Sequence, residues 1–150
     1  MKRILVATDG SLSAYEAIDM ALELAVEHEA ELTFVHVLPP DDFITGRVGP
    51  GRPIAHRVEM DESETALRAA AEAAEKAGVS YALERISGET VDEIVAVAEG
   101  LEVDLIVVGS RGRGPLAGAI LGSVSSGVLK KANRPVLIVR GSGIPAAATV

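Results

Sequence analysis

Apolar residues are concentrated in five short runs along the chain, and polar residues or glycine follow each run. The first and fourth runs are almost continuously apolar, which is typical of strands buried on both faces of a parallel sheet. The third run alternates imperfectly and is predicted to lie toward a sheet edge. The predicted strands are RILVAT (3–8), ELTFVHVL (31–38), VSYALERI (79–86), VDLIVVG (103–109) and PVLIVR (135–140).

The segment after the first strand predicts an amphipathic helix. Its apolar positions between Ala14 and Ala25 fall on one stripe at helical spacing. Ser13 and Glu16 have the spacing of a capping box, so the helix is predicted to begin there.

Three more helices are predicted between the later strands. The second covers 57–77 and ends at Gly78, as a C-terminal glycine indicates. Thr90 and Glu93 form a further capping-box pair at the start of the third. The fourth covers 123–132.

Strands and helices therefore alternate, which predicts an α/β fold with a parallel sheet, right-handed crossovers and helices on both faces. We expect a single domain over 1–140 and a tail over 141–150. The proline-rich segment 39–53 is predicted to be a long loop. Sheets of this kind bind ligands at the carboxyl ends of their strands. The turn TDGS and the glycine-rich stretch 109–123 both follow strands, and they would share one crevice if strands 1 and 4 are neighbours.

Composition narrows the class of protein. The chain has 150 residues, no cysteine and a net charge of −8, which argues against disulfides, thiol chemistry and nonspecific binding to nucleic acid. No apolar run approaches the length of a membrane span, and the start MKRILVATDG does not resemble a signal peptide. We expect a cytoplasmic protein without a membrane or nucleic-acid partner.

Residues 1–100 hold 8 Lys and Arg against 20 Asp and Glu, whereas residues 101–150 hold 6 against 2. The last third is therefore a basic island, which indicates an anion site or chance variation.

The stretch GSRGRGPLAGAILGS (109–123) lies in this basic island and contains five glycines and two arginines. Glycine lets backbone amides approach a phosphate closely, and the start of a helix offers unpaired amides and a positive dipole end. Gly122 and Ser123 stand where the fourth helix is predicted to begin, and Arg111 and Arg113 can add charge. The stretch therefore suits a phosphate chain, although a solvated loop before a glycine-capped helix has the same composition.

Other phosphate-binding patterns fit less well. The P-loop form GxxxxGK[ST] is absent. GRGPLA (112–117) matches a dinucleotide fingerprint only formally, because Pro115 stands where a helix would form. A receiver domain needs an acidic pair after strand 1 and an aspartate after strand 3, and neither is present.

The spacing of Gly109, Gly112 and the pair Gly122-Ser123 is the G-2x-G-9x-G-[S/T] pattern of the universal stress protein family. ILVATDGS, FVHV and GSVSSGVLKKANRPVLIVR also resemble that family, so the similarity extends over about 1–140. The resemblance implies an open, Rossmann-like, five-stranded parallel sheet in the order 3-2-1-4-5. Because the glycine pattern is complete, the chain resembles the branch of the family that binds ATP.

The resemblance also implies a ligand and a partner. The ligand is ATP with Mg²⁺ or Mn²⁺ held by its phosphates, and the partner is a second copy bound through 135–140. Asp9 and the backbone near Val37 would meet the adenine and ribose, Gly109 would lie against the ribose, and the later glycines and serines would hold the phosphates. The implied nucleotide-binding residues are Thr8, Asp9, Val37, Val108, Gly109, Gly112, Arg113, Gly122, Ser123, Val124 and Ser125.

Three single residues leave alternatives open. Asp9 is a ligand residue or a turn aspartate, and His36 is predicted to be a core histidine with its hydrogen bond satisfied. Gly127 departs from the family pattern and costs up to ~1 kcal/mol relative to alanine within a helix.

The sequence contains no paired nucleophile and base and no carboxylate pair, so no catalytic residue is assigned. We expect an ATP-binding regulator or sensor of the stress response, with slow hydrolysis at most. The alternatives are a true nucleotide hydrolase or phosphotransferase, and a dimeric interaction module without a nucleotide.

Overall fold

The computed structural model describes residues 1–38, 52–111 and 121–141, and for 52–63 it describes the backbone alone. The predicted loop 39–53 lies almost entirely outside these residues, as does the predicted tail beyond Gly141. Within these described ranges, five strands alternate with four helices. In chain order they are β1 (Arg3–Ala7), α1 (Leu12–His28), β2 (Glu31–Leu38), α2 (Arg52–Ala77), β3 (Tyr81–Ser87), α3 (Thr90–Gly100), β4 (Leu105–Gly109), α4 (Ser123–Lys131) and β5 (Val136–Val139).

The strands form one parallel sheet in the order β3-β2-β1-β4-β5, which confirms the predicted fold class and order. β1 lies between β2 and β4, with Ile4 opposite Leu32 on one side and opposite Leu105 on the other. Every observed strand lies within one or two residues of its predicted bounds. α2 begins five residues earlier than predicted, at Arg52.

The core is divided by the sheet into two apolar layers. One layer packs beneath α1 and α2 and includes Ile4, Phe34 and Val107. The other packs beneath α3 and α4 and includes Leu5, Ile106 and Val128. Successive residues of β1 and β4 face opposite layers, which explains why these strands are apolar at nearly every position. In the described ranges, none of the helices is both long and apolar enough to cross a bilayer.

The predicted start of α1 was wrong. The capping residue is Ser11, whose Oγ accepts the Ala14 N–H at 3.2 Å, and not Ser13. Two serines stand close together here, and the capping-box pattern selected the second. The hydroxyl of Ser13 has another partner, which is described with the site.

The predicted cap of α3 was also displaced by one residue. Glu89 occupies the cap position, and its Oε2 accepts the Asp92 N–H at 2.9 Å, so Thr90 is already the first helical residue. The predicted end of α2 is confirmed, because Ala77 is its last residue and Gly78 follows with φ +70°, a conformation that favours glycine.

The amino-terminal edge of the β1–β4 pair is fixed by Asp104. Its Oδ2 accepts the backbone N–H groups of Lys2 at 2.6 Å and of Arg3 at 2.9 Å. These two donors lower the pKa of the Asp104 carboxyl below its ordinary value. The contact joins the start of β1 to the residue that precedes β4. It therefore supports the β1–β4 register, which also sets how the carboxyl ends of the two strands align.

Gly127 has a packing role between α3 and α4. A Cβ at this position would lie 2.7 Å from Cγ2 of Val91, and the Val91 side chain is itself buried. The glycine therefore allows the two helices to approach closely, which offsets the cost in helix propensity that the sequence indicates.

We expect Gly127→Ala to destabilise the protein by about 1 kcal/mol, because an overpacked contact outweighs the gain in helix propensity. Urea unfolding followed by circular dichroism measures the change. Gly100→Ala is the matched control, since a Cβ at Gly100 meets nothing within 4 Å, and it should leave stability equal or slightly higher. A Gly127→Ala variant as stable as the parent would contradict this account of the packing.

Candidate nucleotide site

The two turns singled out in the sequence lie at the same edge of the sheet. β1 pairs directly with β4, and Val6 is the register partner of Val107. Thr8 and Gly109 each follow that pair by two residues, so both strands end at the same level. The adjacency that the residues alone left open is therefore present, and the carboxyl ends of β1 and β4 form one crevice.

The β1 side of the crevice is held by backbone contacts of Thr8. Its N–H donates to the Val35 carbonyl at 2.9 Å, and its side chain is buried. Its carbonyl lies 2.9 Å from Nδ1 of His36. Because a carbonyl oxygen only accepts, Nδ1 is the donor in this contact. The prediction that His36 is a buried histidine with a satisfied hydrogen bond is confirmed.

Asp9 forms the turn that leads into α1. Its Oδ1 accepts the Ser11 N–H at 2.9 Å, and Gly10 follows with φ +80°, which favours glycine. The turn role that the sequence offered for Asp9 is therefore present. A contact between its carboxylate and a ligand stays a prediction.

The three predicted apolar site residues belong to the layer that α3 and α4 cover. Val108 in β4 is buried in that layer, while Val37 in β2 and Val124 in α4 are partly buried and pack against it. Val37 and Val108 each stand one residue before the end of their strand, and Val124 lies in the first turn of α4. Apolar side chains beside polar backbone groups are typical of small-molecule sites.

The start of α4 provides the donors. Gly122 is the N-cap with φ −65° and ψ 165°, and no side chain caps the helix. The first hydrogen bond of the turn runs from the Ser126 N–H to the Gly122 carbonyl at 3.0 Å. The N–H groups of 123–125 precede it and therefore have no acceptor within the helix. Together with the positive end of the helix dipole, they form a set of donors suited to an anion.

The segment between β4 and α4 is closed at its base by Ser110. The Gly122 N–H donates to the Ser110 carbonyl at 2.7 Å, so the beginning and the end of the glycine stretch meet. The Ser125 hydroxyl reaches the same carbonyl at 3.2 Å. Ser123, by contrast, is exposed. Ser110 was not among the predicted site residues. It contributes its backbone carbonyl, which accepts two hydrogen bonds, and a motif of side-chain types gives no information about backbone acceptors.

α1 contacts the other end of this segment through Ser13. Its Oγ accepts the Arg111 N–H at 3.2 Å, which explains why this serine is not the helix cap. A Cβ at Gly109 would lie 2.5 Å from Ser13 Oγ and 2.7 Å from the Ser13 carbonyl carbon and oxygen. Gly109 is therefore required for close packing of α1 against β4, a reason that its place in the glycine pattern did not indicate.

The structure thus brings together Thr8, Asp9, Val37, Val108, Gly109 and residues 122–125 at one edge of the sheet. Gly112 and Arg113, which the resemblance also places in the site, lie outside the described residues. Among the residues that are described, no group of three or more His, Cys, Asp and Glu side chains could hold a metal ion.

The family is shown by comparison with known proteins. The model of the universal stress protein family matches residues 1–140. Universal stress protein MJ0531 of Methanocaldococcus jannaschii is 34% identical over 139 residues, which cover 93% of this chain and 82% of that protein. The chain belongs to the universal stress protein family.

Solved structures agree with this assignment. The structure of hypothetical protein MJ0577 superimposes with a TM-score of 0.84 at 28% identity, covering 95% of this chain and 98% of that one. The crystal structure of a universal stress protein in complex with cAMP gives a TM-score of 0.65 at 30% identity, covering 93% and 96% of the two chains. Some structural neighbours of this chain therefore bind adenine nucleotides.

We expect Gly109→Ala to destabilise the protein by about 1–3 kcal/mol, because the new methyl group meets backbone atoms of Ser13 that cannot rotate away. Urea unfolding measures the effect. The double variant Gly109→Ala/Ser13→Ala tests the cause, since it removes the hydroxyl but leaves the backbone contact. Stability restored in the double variant would mean that the clash is with the hydroxyl alone.

Proposed function

We propose that this protein binds ATP together with Mg²⁺ or Mn²⁺ and acts as a nucleotide-dependent regulator or sensor, with slow hydrolysis at most. The adenine and ribose would lie at the ends of β1 and β2, near Asp9 and Val37. Gly109 would face the ribose, and the phosphates would lie at the start of α4. Arg113 and Gly112 would complete the phosphate site.

The observation that carries this proposal is the uncapped start of α4 at the mouth of the β1–β4 crevice. The N–H groups of Ser123, Val124 and Ser125 lack acceptors within the helix, and the hydrogen bond from Gly122 to Ser110 holds them beside the end of β4. Amides in this arrangement favour an anion over a neutral group. The partly buried apolar side chains of Val37 and Val124, near the same edge of the sheet, favour a ligand that also has a flat, weakly polar part. A nucleotide combines both properties.

The local charge and the similarity to a nucleotide-bound family member also support a nucleotide as the ligand. Six of the eight charged residues in 101–150 are Lys or Arg, so the part of the chain that contains α4 is basic within an acidic protein, which raises the local concentration of an anion. A family member that is 30% identical to this chain was crystallised with cAMP. ATP in place of cAMP is proposed because the glycine pattern offers amides for more than one phosphate group.

A regulator is favoured over an efficient enzyme by the partners of the site's polar groups. The Ser125 hydroxyl donates to carbonyls, and Ser13 Oγ accepts an amide. Asp9 is engaged with the backbone of its own turn. In the described part of the site we find no hydroxyl held by a general base, which fast transfer to a protein nucleophile requires. Hydrolysis would depend on positioning and a metal ion, without a placed base.

We expect isothermal titration calorimetry of the purified, nucleotide-free protein to show saturable binding of ATP in the presence of Mg²⁺. Turnover should stay well below about 1 s⁻¹, the lower end of the usual range for enzymes. No detectable affinity for ATP would rule out the proposal and favour an interaction module without a nucleotide. Turnover at or above that rate would favour the hydrolase alternative.

The Gly122→Val variant locates the site within the same experiment. A branched side chain at the N-cap would cover the amides that follow, so ATP affinity should fall at least about tenfold, or ~1.4 kcal/mol. Gly100→Val is the matched control, because Gly100 ends α3 at the opposite edge of the sheet with open space around it. Equal affinity in both variants would place the nucleotide elsewhere.

We also propose that two copies of the chain pair through the predicted strand 135–140. The supporting observation is the exposure of β5, an edge strand in which all four apolar residues are only partly buried. Sedimentation equilibrium should give a mass of twice one chain, and Val136→Lys should shift the protein toward monomer because a charge on an edge strand opposes pairing. Leu12→Lys, a charge at an exposed leucine of α1, is the control. A parent protein that sediments as a monomer at all concentrations would exclude the dimer.

A further inference from the structure

The Ser125 hydroxyl is one of the few buried polar groups in the described part of the chain, with 2% of the residue exposed. Its Oγ lies 3.0 Å from the Gly122 carbonyl and 3.2 Å from the Ser110 carbonyl. A hydroxyl has a single proton to donate, and a carbonyl oxygen can only accept. The Ser125 proton is therefore shared between these two backbone carbonyls.

This arrangement conflicts with direct donation to a phosphate. A phosphate oxygen that carries negative charge is an acceptor, and it needs a donor from the protein. To supply its proton, the Ser125 hydroxyl would have to leave both carbonyls, which belong to buried residues. The two carbonyls would keep their backbone donors, the N–H groups of Gly122 and Ser126, but the hydroxyl that joins them would be lost. Ser123 has an exposed side chain next to the same amides, so its hydroxyl is free of that constraint.

The two carbonyls that Ser125 contacts are the ones that define the base of the glycine stretch. Ser110 is the first residue after β4, and its carbonyl also accepts the Gly122 N–H at 2.7 Å. The Gly122 carbonyl in turn accepts the first N–H of the α4 turn, from Ser126, at 3.0 Å. The Ser125 hydroxyl thus joins the end of β4 to the start of α4 at the point where the unpaired amides begin.

We propose that Ser125 is a positioning residue: its hydroxyl holds the Ser110 and Gly122 carbonyls together and so fixes the α4 amides against the end of β4, while only its backbone N–H faces the phosphates. The proposal rests on the proposed nucleotide site for its consequence. The clasp formed by Ser110, Gly122 and Ser125 can be tested on the nucleotide-free protein.

The first measurement is amide hydrogen exchange by NMR on the nucleotide-free protein. In Ser125→Ala, the Gly122 N–H should exchange about fivefold faster, the factor expected from the net loss of one hydrogen bond. Ser125→Thr retains the hydroxyl and should exchange at the parent rate. Ser126→Ala, a substitution of the neighbouring serine on the same helix, is the control and should also leave the Gly122 rate unchanged. If Ser125→Ala does not fold, Ser125→Cys replaces it, because a thiol has similar size but is a weak donor.

The second measurement is ATP affinity of the same variants by calorimetry. We expect Ser125→Ala to bind ATP about fivefold more weakly, with Ser125→Thr and Ser126→Ala within twofold of the parent. Weaker binding with an unchanged Gly122 exchange rate would show that the hydroxyl donates directly to a phosphate and would overturn the proposal. Faster exchange with unchanged affinity would overturn it as well, because the clasp would then be structural only. A parent protein without affinity for ATP would instead refute the proposed function, while the exchange rates would still report on the clasp.

Discussion

The parallel pairing of β1 with β4 is the constraint on which the rest of the site depends. The register that sets Val6 opposite Val107 ends both strands at one level, and Asp104 fixes the other edge of the pair by accepting two N–H groups from the start of β1. Apart from Val37 on β2, the described groups proposed to meet the nucleotide lie at one of these strand ends or at the start of α4. A shift of one residue would turn the side chains of a strand toward the opposite layer, where they no longer fit their neighbours, and would break the Asp104 contacts, so specific packing and these hydrogen bonds hold the geometry of the crevice.

The glycines of this region act for different physical reasons. Gly109 is required by the close approach of α1 to β4, since a methyl group there would meet the backbone of Ser13. Gly122 is an N-cap without a side chain, which leaves the following amides open. Gly127 lies inside α4 and allows α3 to approach. The glycines that the structure describes in 109–123, together with Gly127, thus have separate structural roles and are not parts of one flexible loop.

The hydroxyl groups show where prediction from local pattern failed. Ser13 has the spacing of a capping residue, yet Ser11 caps α1 and Ser13 accepts the Arg111 N–H from across the crevice. Ser125 is a residue that the family resemblance implies for phosphate binding, and its hydroxyl donates to two carbonyls. In both cases the serine contacts a backbone group that is distant along the chain. The partner lies 98 residues away for Ser13 and 15 residues away for Ser125. Such partners are invisible to a motif, which records only residue types and their spacing.

The alternation of strands and helices, nearly all element bounds, the family and the segment that forms the candidate site could be predicted from the amino-acid sequence. These features follow from hydrophobic periodicity and fixed spacings, which are local properties of a chain. Three features became visible only in the folded protein: β1 pairs with β4, Ser110 closes the base of the glycine stretch, and Gly109 and Gly127 are required for helix packing. These depend on which backbone atoms approach one another from distant parts of the chain, and such contacts exist only once the sheet has formed.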